Sequence, residues 1–196
     1  MMEPFSKRAR PWERHALKLR CLAGATDGVL LDPWQLAPKV GLTVIDGDTA
    51  LACLDDAERQ HLDGPASRSW SGGVLPVTLP DGSRICILNP RHRGRRNKIT
   101  LMEEITHNYL KHKPTTITLR AGTVEVRDYD AGQEAEAYGV GAAALIPWPQ
   151  LFRMLNHGSN VPSIAEAFEV SDELATYRIK ITGAYRLFLA RQQRSA

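Results

Sequence analysis

A chain of 196 residues, 43% hydrophobic and 24% charged, has the balance of an ordinary globular protein and room for one sizeable core or a main domain with a small appendage. No segment approaches the roughly 20 continuous apolar residues that cross a bilayer, and the basic N-terminus, Met1 to Arg14, has no apolar stretch, so the sequence reads as soluble and cytoplasmic with no membrane partner. Three cysteines, Cys21, Cys53 and Cys86, form no C-x-x-C pair and are odd in number, which excludes a disulfide framework or cysteine zinc knuckle and suggests buried reduced thiols.

In chain order, Trp12 to Leu22 has apolar residues at helical spacing, broken by Gly24 and Asp27-Gly28. Asp32-Pro33 opens a short helix, with Asp32 as N-cap and Pro33 at its first position, stopped by Gly41. Leu42 to Ile45 reads as a strand. From about Asp46 to Ala66 the sequence is polar and acidic, with few pattern signals. Gly73 to Leu79 and Arg84 to Leu88 are β-rich runs around Pro80, Asp81 and Gly82, which predicts a hairpin ended by Asn89-Pro90.

The net charge of +3 is mild, but Arg91, His92, Arg93, Arg95, Arg96 and Lys98 form a dense basic run. It reads either as a surface for nucleic acid or an acidic partner, or as a solvated loop. Ile99 to Lys111 carries the strongest helical pattern, closed by Pro114. Thr116 to Leu119 and Val124 to Val126 suggest a second hairpin around Ala121-Gly122. A helix rich in alanine and glycine follows from about Gln133 to Leu145. Trp148 to Leu155, Ser163 to Phe168 and Asp172 to Ile181 read as further helices, with Gly183 before a final basic one.

On the helix at Ile99 to Lys111, Glu103 and His107 stand at i and i+4, one turn apart on one face, a spacing that suits two ligands on one ion. Glu104 is rotated by roughly 100° from Glu103, within reach of a metal-bound water without being a ligand. The layout is that of H-E-x-x-H with Glu103 in the first histidine's place; by itself, an E-E-x-x-H string is more often a solvated ion pair than a metal site. His112, five residues after His107 and roughly 140° round a regular helix, is a further ligand or substrate contact if the helix ends early, and otherwise a C-terminal cation favoured by the helix dipole.

The segment from Asn97 to His107 resembles the ImmA/IrrE metallopeptidase family, whose motif helix reads approximately R-x-R-F-T-L-A-H-E-L-G-H. The run from Glu136-Ala137 to Ile146-Pro147 is similar to that family's second helix, E-A-x-x-F-A-x-x-L-L-x-P. Asp32 to Ala37, Asn89-Pro90 and the helix-turn-helix look of Ile164 to Ile179 extend the resemblance from roughly Arg14 to Phe188. It implies an α+β fold: a zincin-like minimal metallopeptidase core with a small antiparallel sheet over residues 1–147, and a C-terminal helical, helix-turn-helix-like extension over residues 148–196 packed on that core.

It further implies a cytoplasmic zinc-dependent endopeptidase that cleaves a helix-turn-helix transcriptional repressor to induce stress or mobile-element genes. Glu103, His107 and Glu136 would be metal ligands and Glu104 the general base. A His-Glu-Glu set places two formal negative charges on the ion where His-His-Glu places one, making bound water less acidic and letting Mn2+ or Fe2+ compete better with Zn2+. Two other functions stay open: a catalytically impaired peptidase fold that sequesters a regulator, and a DNA-binding regulator.

Overall fold

The computed structural model describes residues 3–25, 28–92, 94–113, 116–120, 123–127 and 130–189. Asp27, Arg93, Pro114 and the Ala121-Gly122 turn lie outside these residues. The fold is α+β, as the sequence predicts.

Helix α1 (Ala9–Ala23) ends at Gly24, whose positive φ of 75° caps it. In α2 (Pro33–Leu36) the Asp32 carboxylate accepts from the Trp34 N–H, the cap expected from Asp32-Pro33. Strand β1 (Leu42–Ile45) follows. The patternless stretch then forms α3 (Gly47–Leu51), capped by Asp46, and α4 (Asp56–Asp63). Strands β2 (Gly72–Thr78) and β3 (Arg84–Leu88) make the predicted hairpin.

The sheet runs β1-β3-β2. It is mixed, not wholly antiparallel as expected: β1 joins β3 in parallel, with Leu42 beside Arg84 and Ile45 beside Ile87. Parallel neighbours need a long crossover, and α3 and α4 are part of it. Strand β2 is an edge. A separate antiparallel pair, β4 (Thr116–Arg120) and β5 (Thr123–Arg127), matches the second predicted hairpin.

Helix α5 (Arg95–Leu110) starts four residues earlier than the apolar pattern suggests, because its first turn draws on the basic run. There Arg95 pairs with Glu166, while the Lys98 ammonium donates to the Phe168 carbonyl (3.1 Å) and Glu169 (3.2 Å). Part of that run is therefore spent inside the molecule.

Helix α6 (Ala131–Leu145) lies between α1 and α5. Its small residues allow this: the Gly139 backbone sits against the Trp12 ring, and Gly141 against Met102. Helices α7 (Trp148–Asn156), α8 (Val161–Phe168) and α9 (Asp172–Ile181) follow. One apolar cluster runs from Trp12 through Leu101, Met102, Ile105, Val140 and Trp148 to Ile179 and Ala184, so α7 to α9 share the core of the preceding elements. Arg178 of α9 is wholly buried, out of reach of any DNA groove. Among the described residues no helix is long and apolar enough to cross a membrane.

The three cysteines are free, as expected, but Cys21 and Cys53 are exposed and only Cys86 is buried.

Candidate metal centre and cleft

Where α5 faces strand β2, a cleft of about 310 Å³ is lined by Gly72, Gly73, Val74, Arg84, Glu104, His107, Asn108, His112, Lys113 and Glu134. Three features of the local chain build it. Arg84 reaches in from β3 and donates to Asn108 Oδ1 (3.2 Å), while Asn108 Nδ2 donates to the Val40 carbonyl (2.6 Å), which fixes this face of α5.

The second feature is the end of α5. Lys111 adopts a positive φ of 57°, and the His112 N–H donates back to the His107 carbonyl at 3.0 Å. This stops the helix and turns His112 back over the cleft, the early end under which the sequence allowed it a role. Lys113 N–H then donates to Gln133 Oε1 (2.9 Å), and Gln133 is held by the N-cap Asp130, so the turn is tied to the start of α6.

Third, α6 delivers two carboxylates. Glu134 Oε2 stands 3.5 Å from His107 Nε2, and Glu136 Oε2 stands 3.2 Å from His112 Nε2. The two imidazoles meet edge to face, with Nδ1 to Nδ1 at 3.0 Å.

Of the sequence candidates, Glu104, His107 and His112 thus line one cleft, and Glu136 touches it through His112. Glu103 is absent from the lining, although its charge is felt by Tyr138 on the neighbouring helix. Glu134, which the sequence did not single out, faces His107. Sequence reasoning missed Arg84, Asn108 and Glu134. Only Glu134 left a signal, its place two residues before Glu136, and nothing local distinguishes it from any exposed helical glutamate.

The electrostatics follow from crowding acids in a buried place. Glu104 is pushed up to about 7 by burial and then by the charge of Glu134, with Arg84 pulling the other way. Glu103 also rises to about 7, from burial and then from Glu104 and Glu134. Burial lowers His107, against the upward pull of Glu134. The Cys86 thiol, buried and near Glu104, is raised to about 12, which makes it unreactive.

Among the described residues no three His, Cys, Asp or Glu side chains already surround one point as a metal cage. The donors still fit a zinc-type ion in kind, being imidazoles and carboxylates gathered in one cleft. The fit extends to spacing: two ligands at tetrahedral zinc lie roughly 3.3 Å apart given bond lengths of about 2.0–2.1 Å, close to the 3.0 Å between the Nδ1 atoms of His107 and His112.

No curated protein matches the chain. A family profile does: the IrrE N-terminal-like domain of peptidase family M78 matches residues 67–180, which take in β2, β3, both cleft helices and the helices after them. More than half of the chain is covered, and the chain belongs to the IrrE N-terminal-like family of M78 peptidases.

Proposed function

We propose that this chain is a cytoplasmic metal-dependent endopeptidase whose substrate is a transcriptional repressor of the helix-turn-helix kind. The observation that carries the reading is Glu104: a carboxyl raised to about 7, in a cleft shared with His107 and Arg84 and bordered by an open sheet edge.

The edge strand β2 contributes Gly72, Gly73 and Val74 to the cleft wall. An extended peptide can add to such an edge through main-chain hydrogen bonds, and two glycines let its backbone approach closely. That favours a protein substrate over a small molecule. A carboxyl with pKa near the working pH is suited to accept and return a proton. Water adds to the scissile carbonyl carbon as its proton passes to Glu104. Glu104 then gives that proton to the amide nitrogen as the C–N bond breaks. Arg84 places a fixed positive charge where negative charge develops on the carbonyl oxygen.

His107, together with other imidazole and carboxylate donors of the cleft, would hold Zn2+, Mn2+ or Fe2+. Such an ion, when bound, polarises the carbonyl and makes water more acidic.

A second reading is supported by Glu103 in the first histidine's place and by the lack, among the described residues, of a ready three-donor cage: the same groove holds a repressor without cutting it. One experiment separates the two. Newly formed protein N-termini are mapped in cells expressing the wild type or Glu104→Gln. Cleavage of a repressor in the wild type alone supports the peptidase. Repressor captured equally by both proteins, with no new N-terminus, supports the binding protein.

A further inference from the structure

The four ring nitrogens of His107 and His112 are all spoken for. Each Nε2 faces a carboxylate, Glu134 behind His107 and Glu136 behind His112, and the two Nδ1 atoms face each other at 3.0 Å. A carboxylate accepts hydrogen bonds, so each favours the tautomer with hydrogen on the adjacent Nε2. That leaves both Nδ1 atoms as lone pairs directed into one gap. Two lone pairs at this distance repel unless a cation or a shared proton lies between them.

The same arrangement is the usual support of metal-bound histidine: one ring nitrogen toward the ion, the other donating to a carboxylate that fixes the tautomer and raises ligand basicity. We propose that His107 and His112 form the imidazole pair of the ion site through their Nδ1 atoms, His112 taking the place that the motif gives up at Glu103. This rests on the metallopeptidase reading above and deepens it.

The backbone gives the placement its cause. On a continuing helix His112 would point away from His107, but the left-handed Lys111 ends α5 and the Lys113–Gln133 hydrogen bond pins the returning chain to α6. A non-glycine residue held at positive φ is uncommon and costs conformational energy, here offset by the hydrogen bonds that the turn makes. Glu103, one turn earlier on α5, is left outside the cleft wall and is not needed as a ligand.

The test uses the full chain freed of metal and titrated with Zn2+ against a chromophoric chelator, for wild type, His107→Ala, His112→Ala and Glu103→Gln, with circular dichroism to confirm that each is folded. One ion per chain is expected for wild type, with at least about a hundredfold weaker binding for either histidine variant and Glu103→Gln within about threefold of wild type. Loss of the carboxylate behind the ring, in Glu136→Gln, weakens binding by about tenfold. X-ray absorption at the zinc edge counts two imidazoles in wild type and one in His112→Ala.

Unchanged affinity and imidazole count in His112→Ala, with binding lost in Glu103→Gln, overturns the His112 assignment and leaves the metallopeptidase reading intact. A wild type that binds no Zn2+, with only a proton shared in the gap, overturns both.

Discussion

Glu13 of α1 and Arg178 of α9 form an ion pair across 165 residues of sequence, both side chains out of water. Arg178 also donates from Nε and a terminal nitrogen to the Ile146 carbonyl (3.0 and 2.8 Å), and Glu13 accepts from the Trp148 N–H at 3.2 Å. The pair thus satisfies the carbonyl that ends α6 and the amide that starts α7, at the junction where the C-terminal helices leave the motif helices.

Removing one partner leaves the other charge buried without compensation, which typically costs 3–5 kcal/mol. Arg178→Met is expected to destabilise by about that much in urea unfolding. Glu13→Gln combined with Arg178→Met should recover part of the loss. If the double variant is as unstable as the sum of the two single ones, the two side chains are not coupled.

Gly139 sets the approach of α1 to α6. A methyl group there would fall within the Trp12 ring, which is itself buried. Gly139→Ala normally gains helix propensity of up to about 1 kcal/mol, but here overpacking of about 1–3 kcal/mol opposes it. The expected net result is a lower melting temperature, whereas Gly132→Ala at the exposed start of α6 should not show it.

Stability should depend on pH through Glu103. Its folded pKa of about 7 lies above the ordinary 4.5. Folding therefore takes up a proton, and this contribution is complete below about pH 4.5 and disappears as pH rises through about 7. The difference corresponds to roughly 3 kcal/mol as an upper figure. Metal-free wild type should lose stability between about pH 5 and about pH 8, and Glu103→Gln should lose distinctly less. Equal slopes for the two proteins would show that Glu103 is not the group responsible.

Glu104 must be ionised to accept a proton, so kcat/KM should rise with pH and level off above about 7. Glu104→Gln should lower kcat by a factor of about 10² to 10⁴ while leaving Zn2+ affinity within about threefold. A parallel loss of metal would instead make Glu104 a ligand.

What the sequence determined by itself is whatever depends on neighbours a few residues apart. The 3.6-residue period placed α5 and α6, Asp32-Pro33 capped α2, and the turn at Pro80 to Gly82 paired β2 with β3. The i, i+4 spacing predicted Glu103 and His107 on one face of α5, of which only His107 lines the cleft, and the two motif segments in order pointed to the M78 family. Helices α3 and α4 were not legible, because short polar helices carry no apolar stripe; the Asp46 cap marks α3 alone.

Tertiary structure decided which of these side chains meet. Glu134 and Glu136 are two residues apart on one helix, and only the approach of α6 to the end of α5 assigns one to each histidine. His112 enters the cleft because the chain reverses at Lys111 and is tied to Gln133. Arg84 reaches Glu104's surroundings because β3 packs beside α5. Each of these contacts joins segments about twenty residues or more apart or depends on a single backbone reversal, and such contacts are fixed by how α1, α5 and α6 bury their apolar faces together, which local pattern does not encode.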